Sequence, residues 1–107
     1  MISQQELHSS DVFRAVADPV RRSILDLLRQ GDRSAGKIAE AFPVSRPAIS
    51  RHLRLLRSAD LVIESRSGRS HIYKLNPAPL SQLEEWLQPY GQFLERTPAR
   101  NKQGKRR

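Results

Sequence analysis

The chain has no cysteine among its 107 residues. That excludes disulfides, thiolate-held metals and cysteine nucleophiles, and it suits a reducing cytoplasm. Long apolar runs are missing as well. No stretch approaches the roughly 20 residues a membrane-spanning helix needs. The opening MISQQELHSS lacks the apolar centre of a signal peptide, so a soluble, cytoplasmic protein is expected. Signatures of chemistry are equally scarce. There is no glycine-rich phosphate loop and no serine–histidine pattern, and Glu84 and Glu85 are adjacent, so they cannot share one helical face. The three histidines, His8, His52 and His71, show no ligand spacing. The aromatic signature of an RRM and the GXXG of a KH domain are also absent. No enzyme, no cofactor and no metal site is expected.

What the chain does have is positive charge, and it is unevenly placed. The net charge is +8. Residues 1–42 carry six basic and six acidic groups, whereas residues 43–74 carry seven basic against two acidic. Residues 75–97 are slightly acidic, and the final PARNKQGKRR holds five basic groups and no acid. A charge gathered on one middle segment and one tail fits a defined face that meets a polyanion.

A chain of this length forms one domain and buries roughly 60–65% of its unfolded surface, so further burial in an oligomer would help it. The expected organisation is a flexible terminus over 1–9, one folded domain over 10–96 and a disordered basic tail over 97–107. Ser10 can cap a first helix, Asp11 to Ala17. Asp18-Pro19 starts a second, since Asp accepts from first-turn amides and Pro needs no amide partner there. It runs to Gln30, with Val20, Ile24, Leu27 and Leu28 inward, and Gly31 ends it. Ser34 caps a third helix, Ala35 to Phe42, and Pro43 stops it. Ser45 caps a fourth. Two short helices joined by so tight a turn make a helix-turn-helix. From Leu61 the apolar period changes to two around Arg66-Ser67-Gly68-Arg69-Ser70, which predicts a β-hairpin with a basic tip. A last helix spans Leu80 to about Arg96, with a kink expected at Pro89 because its ring crowds the carbonyl of Glu85.

The fourth helix is the informative one. Ile49, Leu53 and Leu56 recur at the spacing of a buried stripe. Arg46, Arg51, Arg54 and Arg57 stand between and around them, with no acid before Asp60. With the stripe inward at about 100° per residue, Pro47, Ser50, Arg51 and Arg54 point away. An exposed helix usually mixes signs to form i,i+4 pairs. An unneutralised arginine face suits the major groove of DNA instead, where Arg can bond two acceptors on a guanine edge.

The run ADPVRRSILDLL, then SAGKIAEAF, then VSRPAISRHLRLLRSADLV, then SRSGRSHIYKL resembles the ArsR/SmtB family of bacterial winged-helix repressors. The resemblance covers roughly residues 11–95 and is most specific in S-x-P-A-x-S-x-H-L and in the upstream D-P-x-R. It implies a mainly α winged helix-turn-helix with a small β-hairpin, homodimeric through its terminal helices. Such a protein binds a palindromic operator in double-stranded DNA, often at its own promoter, and leaves when a signal arrives. Matched onto this chain, the family's recognition helix opens at Ser45 and uses Arg46, Pro47, Ser50 and Arg51 for base-side contacts. Arg54 and the wing residues Arg66 and Arg69 fall to the phosphates. Many members sense metals through cysteines on the third helix or Asp/His sets on the last. Residues 34–38 and 80–96 hold no Cys and no His, so the likeness is to a cysteine-free subgroup with a W-L-x-P-Y-x-x-F last helix.

In that last helix Leu80, Leu83, Leu87, Tyr90 and Leu94 follow 3-4 heptad spacing, with Trp86 and Phe93 beside them. So broad a stripe exceeds what one small domain can bury, and dimerisation with Phe13 of the first helix as co-partner is expected. Two other uses of the fold remain open: a winged helix for protein contacts, which usually loses the basic face, and a non-specific architectural DNA binder.

Overall fold

A computed structural model of the chain describes residues 11–96. The Ser10 cap, the flexible terminus over 1–9 and the disordered tail over 97–107 therefore lie outside the described residues. Helix α1 covers residues 11–16 and ends in a turn where the Ala17 amide donates to the Arg14 carbonyl at 3.2 Å. Asp18 then caps α2 (Pro19–Arg29), its carboxylate accepting from the amides of Val20 at 2.8 Å and Arg21 at 3.1 Å. Pro19 fills a first-turn position where no amide hydrogen is needed. Such a cap is worth roughly 0.5–2 kcal/mol.

Strand β1 (Arg33–Ser34) is only two residues long, and Ser34 serves twice. It pairs in the sheet, and its hydroxyl accepts from the Lys37 amide to cap α3 (Ala35–Glu40). The helix-turn-helix is completed by α4 (Arg46–Ser58), capped by the Ser45 hydroxyl at 3.2 Å from the Ala48 amide. Its far end is a Schellman closure. The Asp60 amide donates to the Arg57 carbonyl at 2.9 Å, and the Leu61 amide to the Leu56 carbonyl at 3.0 Å. Glycine usually holds the left-handed position of this motif. Here Asp60 does, at φ 60°.

The wing is β2 (Val62–Ser67) and β3 (Ser70–Leu75), antiparallel, with Ser67 opposite Ser70. Two residues, Gly68 and Arg69, make the turn, and Gly68 at φ 63° takes the left-handed first position that a type II′ turn requires. The sequence pattern predicts a two-stranded hairpin. In the structure β1 adds on the far side of β3, giving a three-stranded sheet in the order β1-β3-β2. A two-residue strand is too short to show a period of its own.

Beneath the wing the core gathers Val12 and Ala15 of α1, Ile24, Leu25 and Leu28 of α2, Ile38 of α3 and Ile49, Leu53 and Leu56 of α4. Leu61, Val62 and Tyr73 close it from the sheet side. Burying each large aliphatic side chain contributes about 1.5–3 kcal/mol. That burial, more than the propensity of helices this short, holds α4 in place.

The last helical stretch is broken as Pro89 requires. A 3₁₀ turn (Ala78–Leu80) leads into α5 (Ser81–Leu87), a second 3₁₀ turn (Gln88–Tyr90) follows, and α6 (Gly91–Arg96) completes it. Pro89 has no amide to offer the Glu85 carbonyl, which instead accepts from Gln88 three residues on. Leu87, Gln88 and Gly91 keep right-handed helical angles, so the chain tightens by a turn instead of leaving the helix. Among the described residues no helix is long and apolar enough to cross a membrane.

Candidate nucleic-acid interface

Helix α4 presents four distinct sides. Ile49, Leu53 and Leu56 face the core. Pro47 and Arg51 lie opposite them and are exposed. Arg46, Ser50, Arg54 and Arg57 run along one flank and rim a cleft of about 280 Å³, whose walls are Ala35 and Ala39 of α3 and Tyr73 of β3. His52 sits on the other flank, against α2. Ser45, Arg46, Pro47, Ser50, Arg51 and Arg54 are all exposed on one continuous surface, and Arg66 and Arg69 are exposed at the wing tip. Among the described residues none of Arg46, Arg51, Arg54, Arg66 and Arg69 forms an ion pair.

Arg57 differs. Its guanidinium meets Glu64 of β2 at 2.9 Å. Glu64 also takes a hydrogen bond from the Tyr73 hydroxyl at 3.2 Å and contacts His71 Nδ1. One carboxylate thus ties α4 to both strands of the wing. Its burial pushes the Glu64 pKa up, but the His71 contact, the Arg57 charge and the Tyr73 hydroxyl outweigh that and hold it below its ordinary value. Tyr73 responds in the opposite sense, raised by its own burial and by the neighbouring Glu64 charge. So the arginine run does receive one neutralising acid, supplied across the fold. The three other arginines of α4 have no ion-pair partner among the described residues.

A second polar centre lies behind α4. Arg21 is the one charged side chain buried among the described residues, at 9% exposure. Its Nε donates to the Ala15 carbonyl at 2.7 Å and its Nη2 to the Arg14 carbonyl at 2.9 Å, while Nη1 stands 3.1 Å from His52 Nδ1. Arg22 adds a bond to the Val16 carbonyl at 2.8 Å. Together they satisfy the open carbonyls at the end of α1. Asp18 faces the same cluster. Its burial acts to raise its pKa, but the Arg21 and Val20 amides and the neighbouring Arg21 charge bring it below the ordinary value. The sequence marks D-P-x-R as distinctive. It gives no sign that this arginine reaches His52, 31 positions away.

The terminal helices divide differently from the heptad expectation. Leu80 and Leu83 pack against the domain's own core. The apolar face left outward is Trp86 at 55% exposure, Leu87, Tyr90, Phe93 and Leu94 at 59%. Phe13 joins it edge-on, its ring 5.7 Å from Trp86 at 87°. Among the described residues no group of His, Cys, Asp and Glu could hold a metal ion.

A helix-turn-helix followed by a basic wing, with an arginine-lined helix outward, is the architecture of a DNA-binding regulator. Residues 18–64 match the model of the arsR family of bacterial regulatory proteins. The chain is 45% identical over 78 residues to the transcriptional repressor SdpR of Bacillus subtilis, covering 73% of this chain and 87% of that one. To the arsenical resistance operon repressor of Staphylococcus xylosus it is 37% identical, covering 80% and 81%. Its fold superposes with a TM-score of 0.72 on an ArsR-like transcriptional regulator from Rhodococcus sp. RHA1, at 33% identity over 88% of this chain and 89% of that one. The chain belongs to the arsR family.

Proposed function

We propose that this chain is a homodimeric, cytoplasmic repressor that reads a palindromic operator with α4. Arg46, Ser50 and Arg51, with Pro47 beside them, meet base edges in the major groove. Arg54 and the wing-tip Arg66 and Arg69 hold phosphates, and the positive end of the α4 dipole at Ser45 favours another. Two copies joined through Trp86, Leu87, Tyr90, Phe93, Leu94 and Phe13 bring their helices into successive grooves about 34–36 Å apart. The observation that carries this reading is the set of exposed arginines on α4 with no ion-pair partner among the described residues, beside the one arginine that an acid neutralises. The names of the relatives, repressors among them, support the same function.

The test is titration against DNA from the protein's own promoter, against sequences the protein selects from a random pool, and against scrambled DNA, at two salt concentrations. A preference of about 10³ or more for one defined site, with a footprint spanning two half-sites, is the expected result. Equal, steeply salt-dependent binding to every sequence would leave an architectural role in place of a specific one.

A further inference from the structure

We infer that Arg21 and His52 form a joint that sets the angle at which α4 is presented to DNA, so that His52 is a positioning residue for operator recognition. This rests on the reading of α4 as the recognition helix and says how its geometry is fixed.

A buried guanidinium needs partners for the donors that water does not reach. Arg21 spends two on the carbonyls closing α1 and one on His52 Nδ1. The guanidinium stays protonated and can only donate, so Nδ1 is the acceptor and the ring proton belongs on Nε2. Asp18 Oδ2 lies 3.9 Å from the same nitrogen, beyond hydrogen-bond reach, and is engaged in capping α2. The guanidinium therefore links three elements at fixed distances: the end of α1, its own α2, and α4. Helix α1 carries Phe13, which stands edge-on to Trp86 in the outward apolar face of α5. Next to His52 on α4 comes Arg51, the residue opposite the buried stripe. Apolar contacts hold Ile49, Leu53 and Leu56 inward without specifying direction as a hydrogen bond does. On the flank opposite the Arg57–Glu64 pair, the one directional contact among the described residues is that of Arg21 with His52. Together the two contacts define the rotation of α4 about its axis.

The experiment compares His52→Leu with His52→Asn, whose side-chain oxygen sits where Nδ1 does. Each is assayed well below its melting temperature on the selected operator and on random DNA, with dimerisation followed by sedimentation. In the Leu variant, operator affinity is expected to fall about tenfold while random-DNA affinity and salt slope stay within about twofold, as for a coupling between touching groups. The Asn variant should recover most of the loss. An equal loss on both DNAs would mean that the contact supports folding alone, and an Asn variant no better than Leu would rule out the acceptor role. Either overturns the joint. If the wild-type protein prefers no sequence, the proposed function itself fails. The joint is then still tested by nitrogen NMR of His52, which should show the Nε2–H tautomer. A ring protonated on Nδ1 would refute it.

Discussion

Glu64→Gln gives the closest test of how the wing is held against α4. Glutamine keeps the size and one carbonyl oxygen for the Tyr73 hydroxyl, but it removes the charge that Arg57 meets at 2.9 Å. Fully exposed ion pairs are worth about 0.2–1 kcal/mol. Hydrogen bonds to a charged partner reach about 1.5–3 kcal/mol. The pair lies between these limits, because the Glu64 side chain is 19% exposed and that of Arg57 is 51% exposed. A loss of about 1–2 kcal/mol at pH 7 is the expected outcome in urea denaturation at matched protein concentration. A double-mutant cycle with Arg57→Ala should return a coupling of about 0.5–1 kcal/mol. The pH dependence has a definite sign. The folded carboxyl titrates below its ordinary value of 4.5, so its contribution is complete above that pH and vanishes as pH falls through the lower folded value. The gap between wild type and variant should therefore be smaller at an acid pH below 4.5 than at pH 7. An identical gap at both pH values, or no coupling to Arg57, would refute the clamp.

Three further outcomes follow from single residues. Asp60→Gly should raise stability by roughly 0.5–1 kcal/mol in a thermal melt, since glycine takes the left-handed closing position of α4 without a Cβ penalty; a lowered midpoint would contradict the assignment. Leu94→Lys should convert dimer to monomer in sedimentation with its helical circular dichroism intact, because Leu94 packs in no core cluster of the single chain; a dimer as tight as wild type would move the interface elsewhere. Arg69→Ala should weaken binding to all sequences and flatten the salt dependence by about one unit per subunit; an unchanged slope would take the wing tip off the phosphates.

What the sequence reveals here is what is local. Asp18, Ser34 and Ser45 are legible as caps because their partners lie two or three residues away. The stripe of Ile49, Leu53 and Leu56 is legible because a helix repeats regularly. The polar centres are not, since Arg57 finds Glu64 and Arg21 finds His52 only once the chain has folded back. Nor does heptad spacing separate Leu80 and Leu83, which the core claims, from Leu87 and Leu94, which it leaves outside. That division depends on where the helix leaves the domain. A closing Asp60, in the place usually given to glycine, carries no signal in composition.

The central claim, that α4 reads sequence, is tested most directly by Arg51→Ala, titrated onto the selected operator and onto random DNA at one salt concentration. The side chain lies opposite the buried stripe, is exposed and has no ion-pair partner among the described residues. A loss of about 1–3 kcal/mol on the operator, with random binding little changed and the base preference relaxed at the contacted position, is the expected result. Equal weakening on both DNAs would make Arg51 a phosphate contact and contradict the account.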